Sequence, residues 1–255
     1  MKPTTPTPTT PSNAQSNAKP LVKPAVKPAA KPAAKPTVRA KPELKRSAQN
    51  SRTNDPEATA LNIIEVATQE FSAKGLAGAR IDEIAALTRT SKRMIYYYFG
   101  SKEGLYIRVL EEAYARIRSI EAGLQLGGLE PEVAMRVLVG FTFDYQLANP
   151  DFIRLVMNEN IHQGEFLAQS KTIKQLNVPA IHVVTSVYER GVKTGVFRSD
   201  IDPVDLHMSI SALCFFNVAN RHTFSLIFKH SLDTTERIAS RRASTVEMIL
   251  RFIAK

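Results

Sequence analysis

Between Ile81 and Lys102 the chain reads IDEIAALTRTSKRMIYYYFGSK, and this stretch restricts the fold more than any other. Ile81, Ile84, Ala85 and Leu87 recur at helical spacing, which predicts a short amphipathic helix with one buried face. The pattern breaks at Thr88-Arg89-Thr90. Ser91 then offers its hydroxyl to the free N–H groups of a following turn, a good cap for a second helix starting at Lys92. Two short helices about a tight turn form a helix-turn-helix.

Stepping about 100° per residue from Ile95 places Ser91, Tyr98 and Phe99 on its side of the second helix. Arg93 and Tyr97 fall opposite, Met94 and Tyr96 flank them, and Lys92 sits at the edge. Cations, phenols and a thioether thus share one small outward surface near a helix N-terminus, which itself attracts anions. Phosphate and base edges complement such a surface. The solvated face of an ordinary helical hairpin fits the same periodicity.

The longer pattern is more specific. Ile84-Ala85, Ser91-Lys92, Ile95-Tyr96-Tyr97-Tyr98-Phe99 and Ser101-Lys102-Glu103-Gly104-Leu105 together resemble the DNA-binding signature of the tetracycline-repressor (TetR) family. The resemblance implies an all-α dimeric regulator, with a three-helix helix-turn-helix head and a helical ligand-binding and dimerisation domain. On it, Arg89, Thr90, Ser91, Lys92, Arg93, Met94, Tyr96, Tyr97 and Lys102 are the expected DNA-binding residues. The chain departs from the pattern twice. Arg89 stands where the family usually has Gly in the turn, and Arg80 where a Thr or Ser normally caps the first helix of the motif.

Charge is unevenly placed. Residues 1–56 hold 11 Lys/Arg against Glu43 and Asp55, whereas the remaining 199 residues are nearly neutral. The first 56 residues also hold 11 of the 15 prolines, and no aromatic precedes Phe71. Lys-Pro pairs recur every four residues from Lys19 to Pro36. Residues 1–53 therefore read as a disordered, extended basic tail, either a nonspecific DNA-binding arm or a solubilising appendage. The head is expected over 54–102 and the effector-binding and dimerisation domain over 103–255. A single cysteine, Cys214, excludes an intramolecular disulfide and suits a reduced compartment. No signal peptide is legible, and the most apolar long stretch, Leu206 to Asn220, is interrupted by His207 and Asn217. The expectation is a cytoplasmic, nucleoid-associated protein with no membrane contact.

The first helix is predicted after the Asp55-Pro56 cap, with Leu61, Ile64, Ala67 and Phe71 as its buried stripe and Gly75 just past its end. Ser101 caps a long helix with Leu105, Val109, Leu110, Ile117 and Ile120 on its apolar side, ended by Gly127-Gly128. This helix would link the head mechanically to the rest. Further helices are expected over 131–148, with Val137, Leu138, Phe141 and Tyr145 inward, and over 150–163 and 171–193. A long apolar helix opens at Asp202-Pro203 and runs towards Phe228, and a last one opens at Asp233. Apolar residues wrap the former almost completely, so it needs cover on two sides. Leu213 and Phe216, with Ile249 and Phe252 of the last helix, are the expected homodimer interface.

The resemblance also implies an effector pocket in the second domain. Phe141, Tyr145, Met157, Asn160, Phe166, His182 and Asn217 are the candidates, each large or polar within an apolar stripe. They suit a mainly apolar or aromatic small molecule, whereas Arg221, if turned inward, would suit a carboxylate. No catalytic constellation, Gly-rich phosphate loop or His-x-x-x-His pair is present, so no enzyme, cofactor or metal site is expected. The favoured reading is a repressor released from a palindromic operator by an effector. A DNA-compacting architectural protein acting through the tail, and a non-regulatory helical subunit, are the alternatives.

Overall fold

A computed structural model describes residues 55–255, so the expected basic tail lies outside the described residues. The described chain is all-α: α1 (Pro56–Gly78), α2 (Ile81–Thr88), α3 (Lys92–Phe99), α4 (Lys102–Ala122), α5 (Pro131–Ala148), α6 (Pro150–Ile161), α7 (Lys171–Thr194), α8 (Pro203–Ala219), α9 (Arg221–Phe228) and α10 (Thr235–Ile253). Local chemistry starts these helices. Asp55 accepts from the N–H of Glu57 and Ala58, Ser91 from Met94, Ser101 from Gly104, and Asp202 from Val204, ahead of the proline at position 203. Gly75 breaks α1 at φ 67°, where the sequence pattern ends it.

Two cores hold the helices together. One joins α1, α2, α3 and α4 through Ile63, Phe71, Ile84, Ile95 and Leu105, and continues to Leu155 of α6 and Ile173 of α7. The other fills the space between α5, α7, α8 and α10 with Met135, Leu138, Tyr188, Ile210 and Ile253. Arg190 on α7 donates to the carbonyls of Leu126, Gly127 and Leu129 at 2.6 to 3.0 Å, pinning the connection between α4 and α5. An antiparallel bridge between Phe197 and Ala254 ties the C-terminus to the segment after α7.

Gly191 shows how tightly this second core closes. A Cβ at that position would lie 1.9 Å from the Phe197 ring, which stacks on Tyr188. Gly191→Ala must therefore displace a buried ring, and we expect a loss of about 1–3 kcal/mol in urea unfolding. A variant as stable as the wild type would show that Phe197 has room to move.

Several expectations are corrected. Leu61 (51% exposed), Leu87 (68%), Ile120 and Val137 are not core residues. Helical spacing puts them near the buried stripe, yet all four side chains stand open to solvent. α4 ends at Ala122, capped at Gly123, and Gly127-Gly128 fall in a short 3-10 turn instead. The apolar run from Pro203 to Phe228 breaks at Asn220, giving α8 and α9 in place of one helix. Thr234, not Asp233, caps α10, while Asp233 pairs with Arg221 at 3.2 Å.

Candidate nucleic-acid interface

α3 is held from below by Ile95, which is fully buried, with Tyr98 and Phe99 half-buried beside it. The opposite surface is open. Arg93, Met94, Tyr96 and Tyr97 are exposed, Tyr97 to 77%. Tyr97 is steadied by an edge-to-face contact with Tyr98, ring centroids 5.5 Å apart. Helical spacing places these residues as they stand, except Ser91, expected on the inward side and found exposed at the N-cap.

The turn before α3 keeps its shape without glycine. Arg89 adopts the left-handed conformation at φ 53°, ψ 34°, with Thr90 N–H bonded to the Ala85 carbonyl at 3.0 Å and Arg89 N–H to that of Ala86 at 3.2 Å. That conformation costs a non-glycine residue roughly 1 kcal/mol, and in exchange an exposed cation stands beside the recognition helix. Thr90 and Ser91 complete the turn.

Arg80 gives α2 no side-chain cap, and buried Glu70 of α1 partly takes over by accepting the Arg80 N–H at 3.0 Å. Glu70 also pairs with Lys74, which bridges to Glu83 on α2. Hydrogen bonds from Lys74 to Glu83 and Glu70 raise the pKa of the ammonium. Lys92 at the start of α3 closes on Asp82, holding that carboxyl below its usual range. These links lash α1, α2 and α3 into one head. They also mean that Lys92 is already paired, whereas Arg93 and Arg89 make no ion pair among the described residues. Lys102, at the first turn of α4, reaches back to the Ala77 carbonyl at 3.4 Å.

α4 meets α3 at close range. Gly104 lies against the last carbonyl of α3, where a Cβ would come within 2.1 Å of the Phe99 oxygen, so only glycine permits this approach. On the other side, Ser72 of α1 donates to Asp151 of α6 at 2.9 Å, and Asn158 of α6 donates to the Phe71 carbonyl at 3.4 Å. The head is therefore joined to the remainder through α4 and through the contact of α1 with α6. Sequence reading missed Glu70, Ser72, Asp151 and Asn158, since no local pattern marks pairs so distant along the chain.

The seven effector candidates do not converge on one cavity. Tyr145 lines a cleft of about 640 Å³ between α1, α4 and the α5–α6 corner, and His182 lies exposed beside two more open depressions along α7. Phe141 packs near Tyr145 at 5.8 Å, and Phe166 edge-on to buried Tyr106 at 5.5 Å. Met157 is half-buried, and Asn160 is exposed with its amide bonded to the Val156 carbonyl of its own helix. Asn217 is buried and engaged, donating to the Leu213 carbonyl and accepting from Arg241 of α10. Arg221 is bound to Asp233, which removes the inward carboxylate anchor.

Of the expected interface residues, Phe216 and Phe252 are 44% and 45% exposed, Phe252 lying under the Arg198 guanidinium. Leu213 is partly buried against the core. Ile249 is corrected: it is buried in the protomer's own core and has no surface to offer a partner. Burial pushes the Cys214 thiol up to about 12, so it is protonated and inert at neutral pH. Among the described residues no cluster of His, Cys, Asp or Glu is arranged to hold a metal, and no helix is long and apolar enough to cross a membrane.

A capped recognition helix on a three-helix head, joined through one long helix to an all-helical domain, defines a helix-turn-helix transcriptional regulator. Residues 63–109 match the family described as bacterial regulatory proteins, tetR family, and residues 131–249 match a tetracyclin repressor-like C-terminal domain. The chain is 41% identical over 180 residues to the HTH-type transcriptional repressor NicS of Pseudomonas putida, covering 71% of this chain and 82% of that protein. It is 36% identical over 141 residues to the repressor SCO4008 of Streptomyces coelicolor, covering 55% and 70%. A bacterial regulatory protein in the tetR family from Rhodococcus RHA1 shares the fold with a TM-score of 0.61 at 21% identity, over 77% of this chain and 97% of that one. The ketosteroid transcriptional regulator KstR2 of Mycobacterium tuberculosis does so at 0.59 and 16%, over 77% and 95%. The chain belongs to the TetR family and is a DNA-binding transcriptional repressor. Its partners are double-stranded DNA, a second copy of itself and a small-molecule effector.

Proposed function

We propose that two copies of α3, one from each protomer, enter successive major grooves of a palindromic operator, and that an effector releases them. In this reading Arg93, Met94 and Tyr97 face base edges, while Tyr96, Lys92, Lys102 and the turn residues Arg89, Thr90 and Ser91 hold phosphate. The outward face of α3, fixed from below by Ile95, carries the reading. Lys92 and Lys102 already have protein partners, so both would exchange them for phosphate on binding. Leu213, Phe216 and Phe252 would cover one another across the two-fold axis, since an exposed apolar face on two neighbouring helices calls for a partner. The protein would act in the cytoplasm, at the nucleoid, and its effector would be mainly apolar or aromatic.

Arg93→Ala is expected to relax specificity at one base pair by about 1–3 kcal/mol, whereas Lys102→Ala should weaken all duplexes alike. Fluorescence anisotropy against a panel of single-base operator variants separates the two. An unchanged preference in Arg93→Ala would mean that Arg93 does not read a base.

A further inference from the structure

Leu61 belongs to the apolar stripe of α1 yet stands half exposed, because it borders the cleft between α1, α4 and the α5–α6 corner. At about 640 Å³ this cleft has the size of a small-molecule site, typically about 300–1,000 Å³. Its apolar wall is built from Ile64, Tyr145 and Phe152, the two rings meeting edge-on at 6.2 Å. Its polar rim is acidic. Glu65, Glu112 and Asp151 face a single cation, Arg116. Asp151 is shared with Ser72 and Arg154, but neither Glu65 nor Glu112 forms an ion pair among the described residues.

We propose that this cleft binds an organic cation with an apolar or aromatic body, and that its occupant sets the angle of the DNA-binding head. An ammonium gains from the Glu65 and Glu112 carboxylates and from the ring faces, while its apolar body covers Leu61 and Ile64. An anion meets a net negative rim. The cleft lies between the same elements that Ser72–Asp151 and Asn158–Phe71 join, so a ligand that wedges α1 from α6 re-aims α3 relative to its twin. The inference rests on the chain's being an effector-responsive repressor and names the place and charge of its ligand.

The test is calorimetric titration of the full chain with three molecules of one skeleton: phenethylammonium, phenethyl alcohol and phenylacetate. Saturable binding of the cation, roughly tenfold tighter than the anion, is expected, as is collapse of that preference when Glu65→Gln and Glu112→Gln are combined. Arg116→Gln should tighten the cation. Both glutamates lie on the rim and make no side-chain hydrogen bond or ion pair among the described residues, so an unchanged melting temperature checks that the double variant is folded. A preference for phenylacetate, no saturable binding, or a cation preference that survives the double variant would overturn the site. Operator binding by the ligand-free protein is measured in parallel. Cation binding without operator binding would refute the repressor reading and leave the site intact, and the converse result would refute the site alone.

Discussion

Phe216→Glu is expected to sediment as a monomer and to lose operator binding by about 100-fold or more. On α8 the exposed residues Val204, Met208 and Phe216 follow one another at multiples of one helical turn, and on α10 Met248 and Phe252 do the same. Both helices already pack their other sides into the protomer's core through Ile210, Cys214, Val246 and Ile249. The outward faces therefore remain for a second copy, and a carboxylate at position 216 would be desolvated there without a partner. A lone protomer holds one half-site and forfeits the effective concentration that links the two heads. Sedimentation velocity and operator anisotropy measure both effects. A wild-type monomer at micromolar concentration, or a dimeric Phe216→Glu, would contradict this assignment of the interface.

Gly104→Ala is the second large effect. The added Cβ would sit 2.1 Å from the Phe99 carbonyl oxygen, and that neighbour is backbone, which cannot swing aside. Either α3 retreats from α4 or the first turn of α4 unwinds and loses the Ser101 cap. We expect about 1–3 kcal/mol of destabilisation in urea unfolding. Operator affinity should fall about tenfold or more, since 1.4 kcal/mol of lost binding is already tenfold. The dimer, whose faces on α8 and α10 do not include this contact, should persist. A variant with wild-type stability and affinity would show that the spacing of α3 and α4 does not position the recognition helix.

What the sequence made legible follows the range of the forces involved. Caps are local, so Asp55, Ser91, Ser101 and Asp202 announce their helices by residue type and spacing alone. The two faces of α3 are equally local, because one short helix with a single buried anchor has little freedom in how it lies. Periodicity misplaces Leu61, Leu87 and Val137 because it shows which side of a helix is apolar, and nothing of what stands opposite. Ile249 fails for the same reason in reverse, since its stripe on α10 serves the protomer's core before it serves a partner. Asn220 ends α8 where four polar residues, Asn220 to Thr223, interrupt the apolar run, a mark that apolar periodicity on either side hides. The effector candidates rest on size and polarity within stripes. Asn217 shows the limit of that choice, because its amide is consumed by Leu213 and Arg241 from elements that only the fold brings together.

The central claim is that sequence recognition resides in the folded head. It is tested most directly by titrating the full chain against a palindromic operator and a random duplex of equal length over a range of salt. The account predicts operator binding tighter by about a thousandfold or more at physiological salt, with the preference lost in Arg93→Ala combined with Tyr97→Ala while the salt slope is largely kept. Equal affinity for both duplexes at every salt concentration would contradict it.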